Sequence, residues 1–250
     1  NKVKIDWNIE KPFKPMFVGT KVWNNYPIED IRKYINWMFF FIVWQLKGKY
    51  PEILQDPEKG AEARKLFNDA NKLLDELQSK RLIKANAVFG IYPANAVGDD
   101  IEVYTDESRT EVFKVFRNLR NQAKQNVNEP NACLSDFIAP KESGIKDYIG
   151  AFAVTAGIGV DKLIAEAKEN HDDYKVIMLE ALADRLAEAF TELLHEKVRK
   201  EIWGYASSEA LSVDDMLLEK FKGIRPAHGY PACPDHSEKQ TLFELLQASK

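Results

Sequence analysis

The segment Arg225-Pro226-Ala227-His228-Gly229-Tyr230-Pro231-Ala232-Cys233-Pro234 gathers a guanidinium, an imidazole, a phenol and a thiol within one short stretch. Its three prolines and one glycine hold the chain off both helix and strand. A path already restricted loses less entropy when it orders around a ligand. Arginine can clamp a carboxylate through two parallel hydrogen bonds, a geometry lysine cannot match. Tyrosine can stack on a base or face a cation. The same composition also suits a surface loop whose arginine caps the helix before it. Upstream, Asp184, Glu188 and Glu192 recur at four-residue steps and His195 and Arg199 follow, so acids run along one helix stripe. A solvated face with i,i+4 pairs is the ordinary meaning of such a pattern. Ala187 and Ala189 flank Glu188 and leave room for a small molecule beside it. Glu219 precedes Arg225 by six residues, near enough to share a pocket, and reads otherwise as a surface acid.

Other motifs carry less. Gly157-Ile158-Gly159 follows a strand pattern and precedes a helix, but the third glycine of a dinucleotide loop and the surrounding βαβ repeat are missing. Cys233 and His236 have a spacing compatible with zinc, without a second pair to complete the set. Neither Cys133 nor Cys233 has an identifiable base partner, so neither reads as a nucleophile. No catalytic side chain and no metal site is expected.

The elements that must position these residues follow from periodicity. Residues 1–26 read as an extended lead-in that packs Trp7, Phe13, Phe17 and Trp23 onto the body. Ile31, Ile35, Met38, Ile42 and Leu46 predict a buried helix from Ile28 to about Leu46, stopped by Gly48. Asp56-Pro57 marks the start of a second helix ending near Ser79. Ala87–Tyr92, Ile101–Thr105, Val112–Phe116 and Tyr148–Thr155 are strand patterns, the first two joined by a hairpin at Val97-Gly98-Asp99-Asp100. Residues 118–131 are polar and read as a loop or short helix. Helices are expected at Asp161–Glu169, His171 to about Trp203, Asp214–Phe221 and Glu238–Leu246. The long one uses Ile177, Met178, Ala181, Leu182, Leu186, Ala189, Leu193 and Leu194 as its apolar positions. Strands followed by grouped helices imply an α+β fold.

With 250 residues, 45% of them hydrophobic, the chain can bury a sizeable core. A net charge of −4 argues against the basic field that nucleic-acid binding needs. No apolar run reaches the roughly 18 residues of a membrane span. No secretory signal opens the chain, and its start at Asn1 reads as a fragment or a processed product. Two cysteines far apart in sequence make no disulfide framework and suggest a reducing, cytoplasmic setting.

Taken in order, a set of segments resembles a known family. They are Tyr34-Ile35-Asn36-Trp37, Lys47-Gly48-Lys49-Tyr50-Pro51, Phe67-Asn68-Asp69-Ala70-Asn71, Tyr92-Pro93-Ala94-Asn95 and Gly98-Asp99-Asp100-Ile101-Glu102. Asp136-Phe137-Ile138-Ala139-Pro140-Lys141, Asp147 through Thr155, His171-Asp172-Asp173-Tyr174, Ala181 through Phe190, Trp203-Gly204-Tyr205 and the loop from Gly223 to Cys233 continue the series. The chain resembles the activation (reactivation) domain of cobalamin-dependent methionine synthase over nearly its whole length. The resemblance implies a long, twisted antiparallel β-sheet with helices packed around it. It implies one S-adenosylmethionine (AdoMet)-binding domain over residues 1–250, cut from a multidomain methyltransferase (5-methyltetrahydrofolate–homocysteine methyltransferase, in methionine biosynthesis). It implies reductive reactivation: AdoMet donates a methyl to cob(I)alamin held by a separate domain, after an electron from flavodoxin or another reductase. The isolated domain is not expected to turn over alone.

By residue, the resemblance implies that Arg225 clamps the methionine carboxylate and Tyr230 contacts the ligand. It implies that Glu188 and Glu219 meet its hydroxyl or amino groups, and that backbone around Ala227 lies near adenine. Asp184 matches a position on the face that docks the cobalamin domain. Two departures stand out. Where the family has Asp-Trp-Thr-Pro-Phe-Phe, this chain has Asn36-Trp37-Met38-Phe39-Phe40-Phe41, so the ligand-facing acid becomes an amide. Family domains also run past the position of Lys250, with strands that help cover the ligand. These departures favour a competing reading, an interaction module that keeps the fold and docks partners without binding AdoMet; Arg225, Tyr230, Glu188 and Glu219 favour the ligand site.

Overall fold

A computed structural model describes residues 2–126 and 128–248. One long strand organises it. β2 (Lys84–Val97) pairs antiparallel with β1 (Gly19–Trp23), β3 (Asp100–Tyr104) and β5 (Asp147–Ile158), and β3 carries β4 (Val112–Phe116) outside it. Gly90 faces Thr20 and Ala151 at once, and Ala94 faces Val103 and Asp147, so β5 takes one edge of β2 while β1 and β3 share the other. Pro93 lies inside β2, where a proline normally breaks a ladder. Ala96 donates its N–H to Ala139 on the β5 side. By alternation, the N–H that Pro93 lacks would face the opposite edge, at the gap where β1 pairing ends at Ile91 and β3 pairing begins at Ala94. The strand can therefore run past the ends of the Ala87–Tyr92 pattern without losing a bond there.

The two faces of β2 feed two hydrophobic clusters. Ala85, Ala87 and Phe89 pack with α3 (Gly60–Ser79) and α5 (Asp173–Lys197), through residues such as Leu74, Leu186 and Phe190. Tyr92, Ala94 and Ala96 pack with Ile101, Val103, Phe116 and, from α7 (Glu238–Leu246), Leu245 and Leu246. Each fully buried Leu or Phe contributes roughly 1.5–3 kcal/mol. This is the expected α+β fold, a long antiparallel sheet with helices packed around it. Among the described residues no helix is long and apolar enough to cross a membrane.

Several elements differ from the periodicity. The single helix expected over 28–46 is two: α1 (Ile28–Ile31), continued by a 3-10 turn at Arg32–Tyr34, and α2 (Trp37–Val43). Ile35 is extended between them, and the Asn36 side chain accepts the Met38 N–H at 3.2 Å. A short amide side chain that offers the backbone an alternative partner starts a new helix rather than continuing the old one. The break shifts the phase, so α2 buries Phe40 and Phe41 while Ile42 is 45% exposed. α3 begins at Gly60, preceded by a turn in which Asp56 accepts the N–H groups of Glu58 and Lys59. Ile177 on α5 is exposed rather than buried, and α5 runs into a π turn at Val198–Ile202. α4 (Val160–Glu169) matches its pattern, while α6 (Val213–Leu217) stops short of Phe221. The lead-in contributes β1, and Phe13 is half exposed rather than packed, its carbonyl accepting the Trp203 indole N–H. The described part of 118–131 is irregular.

Candidate functional site

The acid stripe of α5 divides along its length. Asp184 and Glu188 are exposed, but Glu192, His195 and Arg199 are buried, Arg199 completely. The solvated-face reading therefore fails for the second half of the stripe. The cause is the chain that returns over it: Phe221 and Arg225 cross this end of α5, and Glu209 closes it from the side. Arg199 donates from Nε and Nη2 to the Glu209 carboxylate, at 3.1 and 2.5 Å to Oε2. Arg225 donates from Nη1 and Nη2 to Glu192, at 2.9 and 2.5 Å. Both guanidinium groups also reach His195 Nδ1, at 2.8 Å from Arg199 and 3.4 Å from Arg225. Arginine only donates, so Nδ1 is the acceptor and His195 is neutral with its proton on Nε2. Burial, then the charges of Arg225 and Arg199, hold its pKa down to about 3. The Phe221 ring lies 4.6 Å from Arg199, 5.7 Å from Arg225 and edge-on to His195 at 4.7 Å. A charge pair on the fully buried Arg199 and a partly buried pair on Arg225 are bridged by one neutral ring, and removing one partner of a buried pair costs about 3–5 kcal/mol.

The loop that follows is pinned at its base. Gly229 N–H donates to Cys233 C=O and Cys233 N–H to Tyr230 C=O, closing a small antiparallel bridge. The Cys233 thiol donates to Ala227 C=O at 3.1 Å, and the His228 ring stacks on Phe116 of β4. The two cysteines, remote in sequence, come together: Leu134 N–H donates to Ala232 C=O at 2.8 Å. Burial and then the Cys133 thiol push the Cys233 pKa up, and both thiols are free. His236 Nδ1 meets Lys239 Nζ at 2.9 Å.

Of the residues singled out in the sequence, the structure ties Arg225 to the stripe of Glu188, one helical turn before its partner Glu192. Glu219, in a left-handed conformation after α6, is exposed, as is Ala227. Tyr230 is 65% exposed at the loop tip. The side chains of Glu188, Glu219 and Tyr230 make no hydrogen bond or ion pair among the described residues. Among the described residues Asn36 is tied to α5 through neighbours, Tyr34 bonding Glu196 at 2.5 Å and Phe39 lying under Arg185. No hydrogen bond or ring contact joins it to the 223–236 loop among the described residues. Two surface grooves, one around Asp69 and Tyr174 and one around Tyr26 and Gln78, share no residue with this network. The roles of Glu192, His195 and Arg199 were visible only as charge spacing; Glu209 and Phe221 carry no signal that separates them from surface residues.

A family described as vitamin B12 dependent methionine synthase, activation domain, matches residues 27–250. A crystal structure described as the MetH reactivation domain bound to AdoHcy is 51% identical, with a TM-score of 0.94 over 99% of this chain and 75% of that one.

Proposed function

The chain belongs to the activation-domain family of vitamin B12 dependent methionine synthase, and from that premise we propose that it binds AdoMet and presents the methyl group to cobalamin held by another domain. The observation that carries this reading is Arg225, a partly exposed guanidinium held fast by Glu192, one helical turn from Glu188, whose side chain has no hydrogen bond or ion pair among the described residues. A zwitterion with a sulfonium needs one cation for its carboxylate, acids for its ammonium and hydroxyls, and an aromatic for its base. Arg225 supplies the first, Glu188 and Glu219 the second, and the exposed Tyr230 ring the third, with Ala227 backbone beside it. Asn36 offers a carbonyl oxygen from the start of α2. The resemblance to a domain solved with AdoHcy supports the same ligand class.

AdoMet supplies an activated methyl when bound, so no side chain here serves as nucleophile. The task of the chain is to hold the ligand in one orientation, which is catalysis by positioning. The methyltransferase activity then belongs to the larger enzyme. Its cobalamin domain docks on the face that carries the exposed Asp184, and flavodoxin or another reductase supplies the electron. Two free, buried thiols suit a reducing, cytoplasmic setting.

Calorimetric titration with AdoMet tests the reading. The native chain should bind, and Arg225→Ala should bind more than about tenfold more weakly, because one member of a partly buried charge pair is lost. Arg225→Lys should also weaken binding, since the fork is gone. An unchanged dissociation constant in a folded Arg225→Ala variant would remove the carboxylate clamp.

A further inference from the structure

A guanidinium carries five N–H donors in one plane. On Arg225, Nη1 spends its two on Glu192 Oε2 and His195 Nδ1, and Nη2 spends one on Glu192 Oε1. Among the described residues Nε has no partner, and the second Nη2 hydrogen has none either. These two free hydrogens point the same way, along the side of the guanidinium, and form the fork that fits a carboxylate. The free edge is reachable: the side chain keeps 17% exposure, and Nε is not among the buried polar atoms without a partner.

Arg199 shows the same arrangement filled. It too turns Nη1 to His195 Nδ1, and its Nε and Nη2 edge holds the Glu209 carboxylate. His195 thus takes one Nη1 hydrogen from each arginine and sets both planes. One arginine has its side edge closed by a carboxylate of the chain and is fully buried; the other has that edge open at the surface.

We propose that Glu192 and His195 are positioning residues for Arg225: by occupying Nη1 and one hydrogen of Nη2, they aim the Nε and Nη2 edge at the carboxylate of the bound ligand. This rests on the reading of Arg225 as the carboxylate clamp. It assigns Glu192 the opposite role from a competitor, because the edge it holds is not the edge the ligand uses. Arginine has a long, rotamer-rich side chain, and its fork helps only when the plane is fixed beforehand. The Phe221 ring lies against both guanidinium groups, at 4.6 Å from Arg199 and 5.7 Å from Arg225, and restricts their movement.

The test compares AdoMet with decarboxylated AdoMet, which differs only in lacking the carboxylate. Both are titrated into the 250-residue chain and its Glu192→Gln, His195→Leu, His195→Asn and Arg225→Ala variants. The native chain should prefer AdoMet by about tenfold or more, the scale of a charge-assisted pair. Glu192→Gln and His195→Leu should lose most of that preference while binding decarboxylated AdoMet within about threefold of the native chain, a difference under half a decade. His195→Asn, whose amide oxygen stands near the position of Nδ1, should restore it. A native preference retained in both Glu192→Gln and His195→Leu would overturn the positioning role, as would equal loss of both ligands, which would assign the network to stability. If Arg225→Ala itself keeps the preference, the clamp reading fails instead; if it loses the preference and the other two keep it, only the positioning role fails.

Discussion

His195 sits between two arginines without a proton, and that fact has a pH consequence of fixed sign. Its folded pKa, near 3, lies below its ordinary 6.5. As pH falls, the unfolded chain takes up this proton first, so stability is intact above 6.5 and is lost progressively toward 3. Arg199 and Arg225 reach the ring, each paired on its other side with a carboxylate, Glu209 and Glu192, and the arginines stay charged throughout. Replacing the ring by Asn removes the titrating group. Between pH 7 and pH 5 the native chain should lose about 2 kcal/mol more than His195→Asn in denaturant unfolding. Parallel stability curves for the two would refute a neutral, buried His195. Asn36 poses a different question at the same scale. Asp caps a helix as well as Asn does, so Asn36→Asp should keep the bond to Met38 and the fold of α2. If the position faces the ligand, the added charge should tighten AdoMet binding by about 1 kcal/mol, several-fold in affinity. A weaker or unaltered variant would place residue 36 outside the site. The residue types were legible in the sequence; the pairing was not. Spacing puts Glu192, His195 and Arg199 on one stripe, but only the returning Phe221–Arg225 segment turns that stripe from solvated to buried.

At the scale of elements, the Gly157-Ile158-Gly159 segment that ends β5 and enters α4 has a mechanical use. Gly159 stands at φ 103°, where an L side chain is strained, and caps the start of α4. A Cβ there would come within 2.8 Å of the Leu82 carbonyl, a backbone atom that cannot step aside. Gly157 lets Ala183 of α5 approach the strand, with 3.3 Å left for a Cβ. Gly159→Ala should therefore destabilise the chain by about 2 kcal/mol or more, read as a lowered denaturant midpoint with an unchanged slope. A loss under about 0.5 kcal/mol would show the turn to be adaptable. The sequence argued against a nucleotide loop here from a missing glycine and a missing βαβ frame, and β5 pairs antiparallel with β2. It missed β1 for a local reason. Gly19–Trp23 pairs along one edge only and leaves Thr20, Lys21 and Val22 exposed, so no alternation of burial is written into it. The broken first helix was hidden by the reverse effect: Ile28, Ile31, Ile35, Phe40, Phe41 and Leu46 are all buried, and helical spacing alone cannot reveal that the backbone stops and restarts at Asn36.

For the molecule as a whole, the fold class was legible because strand runs precede grouped helices, and the resemblance supplied the sheet. What no local pattern supplied is that β2 serves two clusters at once, since that depends on its length and on the gap opposite Pro93. This arrangement makes a prediction about cooperativity. The cluster around α3 and α5 contains or contacts Trp23, Trp37 and Trp44, so indole fluorescence reports mainly on it. The cluster under α7 includes no tryptophan among its described members. If the two were separate units, damage under α7 would leave the fluorescence midpoint in place. Because Ala85, Ala87 and Phe89 belong to one cluster and Tyr92, Ala94 and Ala96 to the other, a single backbone must be ordered for either to form. Leu246 is 1% exposed in the second cluster. Leu246→Ala removes buried methyl groups and leaves a cavity, at a cost of about 2–5 kcal/mol. We expect the loss to appear as one transition in which fluorescence and far-ultraviolet circular dichroism shift together to a lower denaturant concentration. Two separated transitions, with fluorescence unmoved, would mean that residues 1–250 unfold as two units and that β2 does not couple them.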